Sequence, residues 1–177
     1  MSLSSIQSPT DSHSSSSSEQ YIRFSLEPDT NMMLPITGVT EVLKLSLKSI
    51  VPIPQMPSWA MGVYNWRGEI LWMVDLGNLL GLYPWQEQNL NPSATTTMII
   101  KADGGSRTKG TARKSLGLVI RNVEDIEWCD RDRLQQVPAS AVNSTIASLV
   151  EGYWLDPQKK MVLALSSNAI IQRASQI

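Results

Sequence analysis

Side chains able to do chemistry are sparse in this sequence, and most stand in the wrong company. Cys129 is the only cysteine and His13 the only histidine. His13 lies in "MSLSSIQSPTDSHSSSSSE", a serine-rich stretch too poor in apolar residues to offset the entropy of ordering it. A cysteine nucleophile needs a base within reach, and the part of the chain expected to fold offers no histidine to act as one. One thiol and no such histidine also leave a zinc ion without its ligands. "GSRTKGT", Gly105 to Thr111, has two glycines at phosphate-loop spacing, but its lysine precedes the second glycine. The surroundings read as strand–turn–strand, whereas phosphate binding needs amides at the start of a helix. Asp75 stands where an apolar strand gives way to "LGNLLG", the place of a helix cap rather than of a general base. "WCDRDR", Trp128 to Arg133, reads as a surface turn with ion pairs.

Arg67 is different. It sits with Gly68 between the apolar runs "AMGVYNW" and "EILWMV", at the tip of what reads as a tight hairpin. A guanidinium is always charged and carries five donors in a fixed fork, so its chemistry is the gripping of carboxylates and carbonyls. Gly68 suits a turn position with positive φ. Trp66 and Trp72 on the flanking strands are expected in a core or on its rim.

The elements that hold this hairpin recur. "YIRFSL" alternates as a strand, with Ile22, Phe24 and Leu26 on one face and Tyr21 on the other; "MMLPITGVTEVLKL" is extended; "IVPIPQMP" is a proline-punctuated connector. After the hairpin, Asp75 caps a one- to two-turn helix that Gly81 stops. The second half repeats the order: "TTTMIIKA", a polar turn over 103–114, "SLGLVIRNVEDIEW", then a strand pair and "SSNAIIQ". Setting Val39 on Val123 puts Glu41 on Asp125 and Val42 on Ile126. Setting Gly62 on Gly152 puts Asn78 on Asn168 with no gap. An internal duplication into two β-rich lobes of about 65–75 residues is expected. Strands such as "ILWMV", "LGLVI" and "MVLAL" are apolar at consecutive positions, as strands buried on both faces are. Two small barrels sharing a core follow.

Composition narrows the function. A net charge of −1 gives no basic stripe for nucleic acid, and the tryptophans have apolar rather than basic neighbours. A single cysteine fits a reducing compartment. No apolar run approaches the roughly 18–20 residues of a membrane helix, and the first residues do not form a secretory signal. No cofactor, metal or turnover is expected.

From Pro54 to Leu82 the chain resembles the CheW family of chemotaxis coupling proteins. It carries Pro54, Pro57, Gly62, Asn65, Arg67, Gly68, Asp75 and Leu76 in the family's order, with Val39, Glu41 and Val42 upstream. The resemblance extends from about Gln20 to Arg173. It implies a mainly β fold of two five-stranded SH3-like barrels related by a pseudo-twofold, with short helices, over residues 20–177, behind a disordered tail over 1–19. It implies a non-enzymatic adaptor joining the cytoplasmic tip of a methyl-accepting-type receptor to the regulatory domain of a CheA-type histidine kinase, in the cytoplasm and held near the membrane by the receptor. Val39, Glu41, Gly62, Asn65, Arg67 and Gly68 are the partner-binding residues it implies. Arg121 stands where the family has an acidic residue. That departure, the two bulky tryptophans and the basic turn over 103–114 point to a phototaxis or pilus-motility branch. The alternative is a module of the same fold that binds another regulator, such as a response regulator, instead of a receptor array.

Overall fold

The computed structural model describes residues 18–26, 30–87, 91–102 and 115–176. The tail through residue 17 and the basic turn over 103–114 lie outside them. Among the described residues ten strands form: β1 (Ser18–Leu26), β2 (Thr30–Pro35), β3 (Val39–Leu45), β4 (Ala60–Trp66), β5 (Glu69–Asp75), β6 (Thr95–Lys101), β7 (Ser115–Ile120), β8 (Asn122–Asp130), β9 (Val150–Leu155) and β10 (Met161–Leu165). Three short helices accompany them: α1 (Leu76–Leu79), α2 (Ser144–Leu149) and α3 (Ser167–Ala174). The first strand begins three residues before the expected start at Tyr21 and takes in the last two residues of the expected tail. Ser18 and Glu19 pair with Asp130 and Cys129, so they are strand and not tail.

The strands make two five-stranded sheets, ordered β8-β1-β2-β10-β9 and β3-β6-β7-β5-β4. Exchanging each strand for the one five places away converts one order into the other. The lobes are therefore not the two halves of the sequence. Each sheet takes strands from both, joined by the parallel pairs β2–β10 and β5–β7. Each sheet also curls on itself. The segment after β3 returns to β4 through an isolated antiparallel bridge, Val51 to Val63, and the segment after β8 reaches β9 through Gln135 to Tyr153.

The register tests the alignment of the halves residue by residue. The irregularity between Val39 and Glu41 on β3 recurs between Val123 and Asp125 on β8, as the spacing required. Gly62 pairs with Met73 and Gly152 with Ala164, however, which places one extra residue in the second hairpin. The ungapped match of Asn78 to Asn168 is thus off by one. Asp75 corresponds to Ser166, and both cap a helix, accepting from the amides of Asn78 and Ala169. The longer loop of the second hairpin accounts for the insertion: the Asp156 amide donates to the Lys160 carbonyl and the Lys160 amide to the Asp156 carboxylate, in place of a two-residue turn.

Alternation along the strands divides the interior into three cores. The largest lies between the sheets, with Ile22, Phe24, Met32, Leu34 and Leu163 from one facing Val74, Met98, Ile100, Leu116 and Leu118 from the other. The residues between them point inward into each sheet's own curl: Leu71, Met73, Ile99 and Val119 in one, Tyr21, Met33, Val162 and Ala164 in the other. Both faces of the central strands are buried, which is why they read as unbroken apolar runs. Trp72 packs against the shared core and Trp66 against the core of its own sheet.

Candidate functional site

The β4–β5 hairpin is closed by Arg67 and Gly68, with φ of 55° and 85°. Positive φ at both central positions marks a type I′ turn, whose twist matches that of the strands it joins. Glycine accepts this conformation freely, but for arginine it costs about 1–2 kcal/mol. Local contacts offset that strain. The Asn65 side chain accepts a hydrogen bond from the Gly68 amide at 2.9 Å. Glu41, reaching across from β3, takes two donors on one carboxylate oxygen: Trp66 Nε1 at 3.1 Å and Arg67 Nη2 at 2.9 Å. The guanidinium also lies over the Trp66 ring, 5.2 Å from its centre.

The placement of Glu41 follows from its strand. It shares the alternation of Leu43 and Leu45, which pack into the core of the β3-β6-β7-β5-β4 sheet. Its carboxylate therefore closes the end of that core, with Trp66 beneath it and Arg67 above. The Arg67 side chain nonetheless stays 69 % exposed, so it is held in direction while most of its surface remains in water.

Of the six residues the sequence pointed to, the structure gathers four at this tip: Glu41, Asn65, Arg67 and Gly68. Val39 lies further along β3 and packs half-buried against the shared core. Gly62 is buried four residues up β4 and performs a different task. A Cβ there would stand 2.1 Å from the carbonyl oxygen of Val51 and 2.8 Å from Pro52 Cα. Gly152, its counterpart, makes the same approach to Gln135, with 2.8 Å to its carbonyl oxygen. Both glycines make room for the bridge that closes a sheet.

The second sheet shows what the tip is not. Asp125, the counterpart of Glu41, accepts from the Ile126 amide instead of holding an arginine. There the end of the core is filled by Arg23, whose Nε, Nη1 and Nη2 meet Glu124, Glu127 and Asp156 at 2.9, 3.3 and 3.1 Å. Burial alone would raise the Asp156 carboxyl, but bonds from the Lys160 amide and from Arg23 outweigh it and hold the group below its usual range. Arg23 is a largely enclosed lock between β1, β8 and the β9–β10 loop. Nothing in the local sequence marked it, since its three acidic partners lie about a hundred residues or more away. Arg131 pairs with Glu151 of β9, twenty residues away.

Two other groups that could react, Cys129 and Asp75, are withdrawn. Cys129 is buried, and burial followed by the nearby carboxylates pushes its thiol up to about 11. Asp75 accepts from the amides of Asn78 and Trp85, and burial raises its carboxyl despite them. Among the described residues no group of acidic, histidine or cysteine side chains could hold a metal ion.

Sequence comparison decides the family. A CheW-like domain matches residues 20–175, nearly the whole chain. The chain belongs to the CheW-like domain family. Among solved structures, the CheW-like chain is similar to the scaffolding protein TtCheW from Thermoanaerobacter tengcongensis, with a TM-score of 0.65 and 23% identity, over 84% of this chain and 88% of that one. At that identity the likeness is one of fold, and the two five-stranded sheets described above are its content. Comparison with curated proteins gave no match. No helix among the described residues is long and apolar enough to cross a membrane.

Proposed function

We propose that this CheW-like protein is an adaptor without turnover, joining the cytoplasmic tip of a methyl-accepting-type receptor to a CheA-type histidine kinase. The observation that carries this reading is the hairpin tip: an exposed guanidinium fixed by Glu41 and Trp66 on a rigid two-sheet body. A receptor tip built of helices offers carboxylates and carbonyl oxygens, and a guanidinium already oriented loses little freedom on meeting them. The contrast with Arg23 supports the assignment, because that arginine is enclosed by three carboxylates and has little surface left to offer. Withdrawal of Cys129 and Asp75 into the interior supports an adaptor over an enzyme.

Val39, Asn65, Gly62 and Gly68 belong to the reading in different capacities. Asn65 and Gly68 shape the turn, Val39 borders the shared core, and Gly62 keeps β4 in register. The protein then works in the cytoplasm, drawn to the membrane by the receptors it binds, in a chemotaxis-, phototaxis- or pilus-type pathway. The test is co-sedimentation with receptor-containing membranes and kinase from the native cell. Arg67→Glu is expected to melt close to wild type and to leave the pellet. An Arg67→Glu protein that pellets with receptor and kinase as wild type does would overturn the reading.

A further inference from the structure

Glu41 and Arg67 touch through one atom of each, Oε2 and Nη2. Trp66 Nε1 donates to the same Oε2. Two hydrogen bonds thus fall on one carboxylate oxygen. Among the described residues the other oxygen, Oε1, accepts from no donor, and Nε and Nη1 of Arg67 meet no acceptor. Both side chains reach solvent, with 32 % of Glu41 and 69 % of Arg67 exposed. The tip therefore presents open donors and an open acceptor side by side, on two groups whose charges cancel. The indole N–H fixes which oxygen of Glu41 is used and which is left over.

We propose, resting on the adaptor reading, that the partner group seated on this pair is a side-chain carboxamide, from an asparagine or glutamine of the receptor tip. A carboxamide carries an acceptor and two donors on one small planar group. Its oxygen takes the open donors of Arg67 while its NH2 donates to Glu41 Oε1. A partner carboxylate would suit Arg67 but would stand against Glu41, and against Glu69, which lies opposite Trp66 at the foot of the turn. A partner cation would be repelled by Arg67. A carbonyl oxygen alone would leave Oε1 without a donor as water is excluded, and an acceptor stranded in that way costs affinity. Selection by leaving the wrong group's partner unpaired is sharper than selection by fit alone.

The experiment titrates the full chain against receptor-containing membranes and kinase from the native cell and compares wild type with Glu41→Gln. The glutamine oxygen still accepts from Trp66 and Arg67, but an NH2 replaces Oε1, so two donors face each other. Apparent affinity should fall by about tenfold or more, with a melting temperature close to wild type. Replacing the asparagines and glutamines of the receptor tip by alanine, one at a time, should reproduce the loss at one position, and Glu41→Gln should then add little to it. Unchanged affinity of Glu41→Gln would overturn the proposal and leave Glu41 only to orient Arg67. Tighter binding would overturn it in favour of a partner carboxylate, and so would a receptor tip at which no carboxamide replacement matters. Arg67→Glu in the same titration separates the two readings. If it binds like wild type, the adaptor reading falls and this one with it; if it fails to bind while Glu41→Gln binds normally, only the carboxamide is lost.

Discussion

Replacing Gly62 with alanine separates two explanations for a glycine that resemblance had placed among the partner-binding residues. The new Cβ would lie 2.1 Å from the Val51 carbonyl oxygen and 2.7 Å from its carbon. Backbone at that distance cannot yield as a side chain can, so the bridge must open. Opening breaks the bonds from the Val51 amide to the Val63 carbonyl and from the Val63 amide to the Val51 carbonyl, 2.8 and 2.9 Å long, at about 0.5–1.5 kcal/mol each. The φ of 135° adds strain of about 1–3 kcal/mol for any residue with a side chain. The sum is about 2–6 kcal/mol, a fall in melting temperature of roughly 5–20 °C for a domain of this size. Gly152→Ala meets Gln135 at 2.8 Å without positive φ, so it should lose only its two bridge bonds, about 1–3 kcal/mol. Gly68→Ala meets nothing within 4 Å and should pay only for its left-handed turn, about 1–2 kcal/mol. Thermal and urea unfolding of the three variants should therefore rank them Gly62, Gly152, Gly68 in severity. Equal melting of Gly62→Ala and wild type, or a larger loss at Gly68, would refute the argument that Gly62 serves closure. If the ranking stands, loss of receptor recruitment by Gly62→Ala should follow the loss of fold, and recover at lower temperature.

Three further outcomes are expected. A double-mutant cycle over Glu41→Ala and Arg67→Ala, read by urea unfolding, should give a coupling of no more than about 0.5 kcal/mol, because the pair is exposed and screened; a coupling several times larger would mean that Arg67 is structural. Asp156→Asn should lower the melting temperature at neutral pH by removing one carboxylate from Arg23. Because the folded Asp156 carboxyl sits below its unfolded value, its contribution is present above the usual carboxylate range and is lost as pH falls through the folded value; the variant should lose less stability than wild type on acidification, measured by melting temperature between neutral pH and pH 3. Cys129, buried with a thiol pushed up to about 11, should react with Ellman's reagent slowly in the folded protein and at once in urea.

Much of this fold was legible because its signals are local or periodic. Consecutive apolar positions in "ILWMV" and "LGLVI" announced strands covered on both sides. Asp75 and Gly81 marked the limits of α1, and Arg67-Gly68 announced the turn. The exchange of strands between halves was not legible, since β1 and β2 carry no mark of which later strand they join. The extra residue in the second hairpin was hidden by chemistry: Asp75 and Ser166 cap alike, yet aspartate and serine do not align by eye. α2 went unnoticed although Asn143 caps it and Ile146 and Leu149 are spaced for one buried face. At the candidate site, the nearness of Glu41 to Arg67 depends on β3 and β4 closing the same curl, which spacing along the chain could not reveal. Trp66 looked like core and proved also to be a donor.

The sharing of strands between sheets has a consequence for synthesis. As the chain leaves the ribosome, β1 and β2 emerge first and can pair with each other, but the strands that cover their outer edges, β8 and β10, follow only some ninety residues or more later. The nascent amino-terminal half must wait with its apolar edges unpaired, in the condition that invites chaperone binding and aggregation. Neither half should persist alone, whereas two separately produced halves, mixed from denaturant, should reassemble into the native protein.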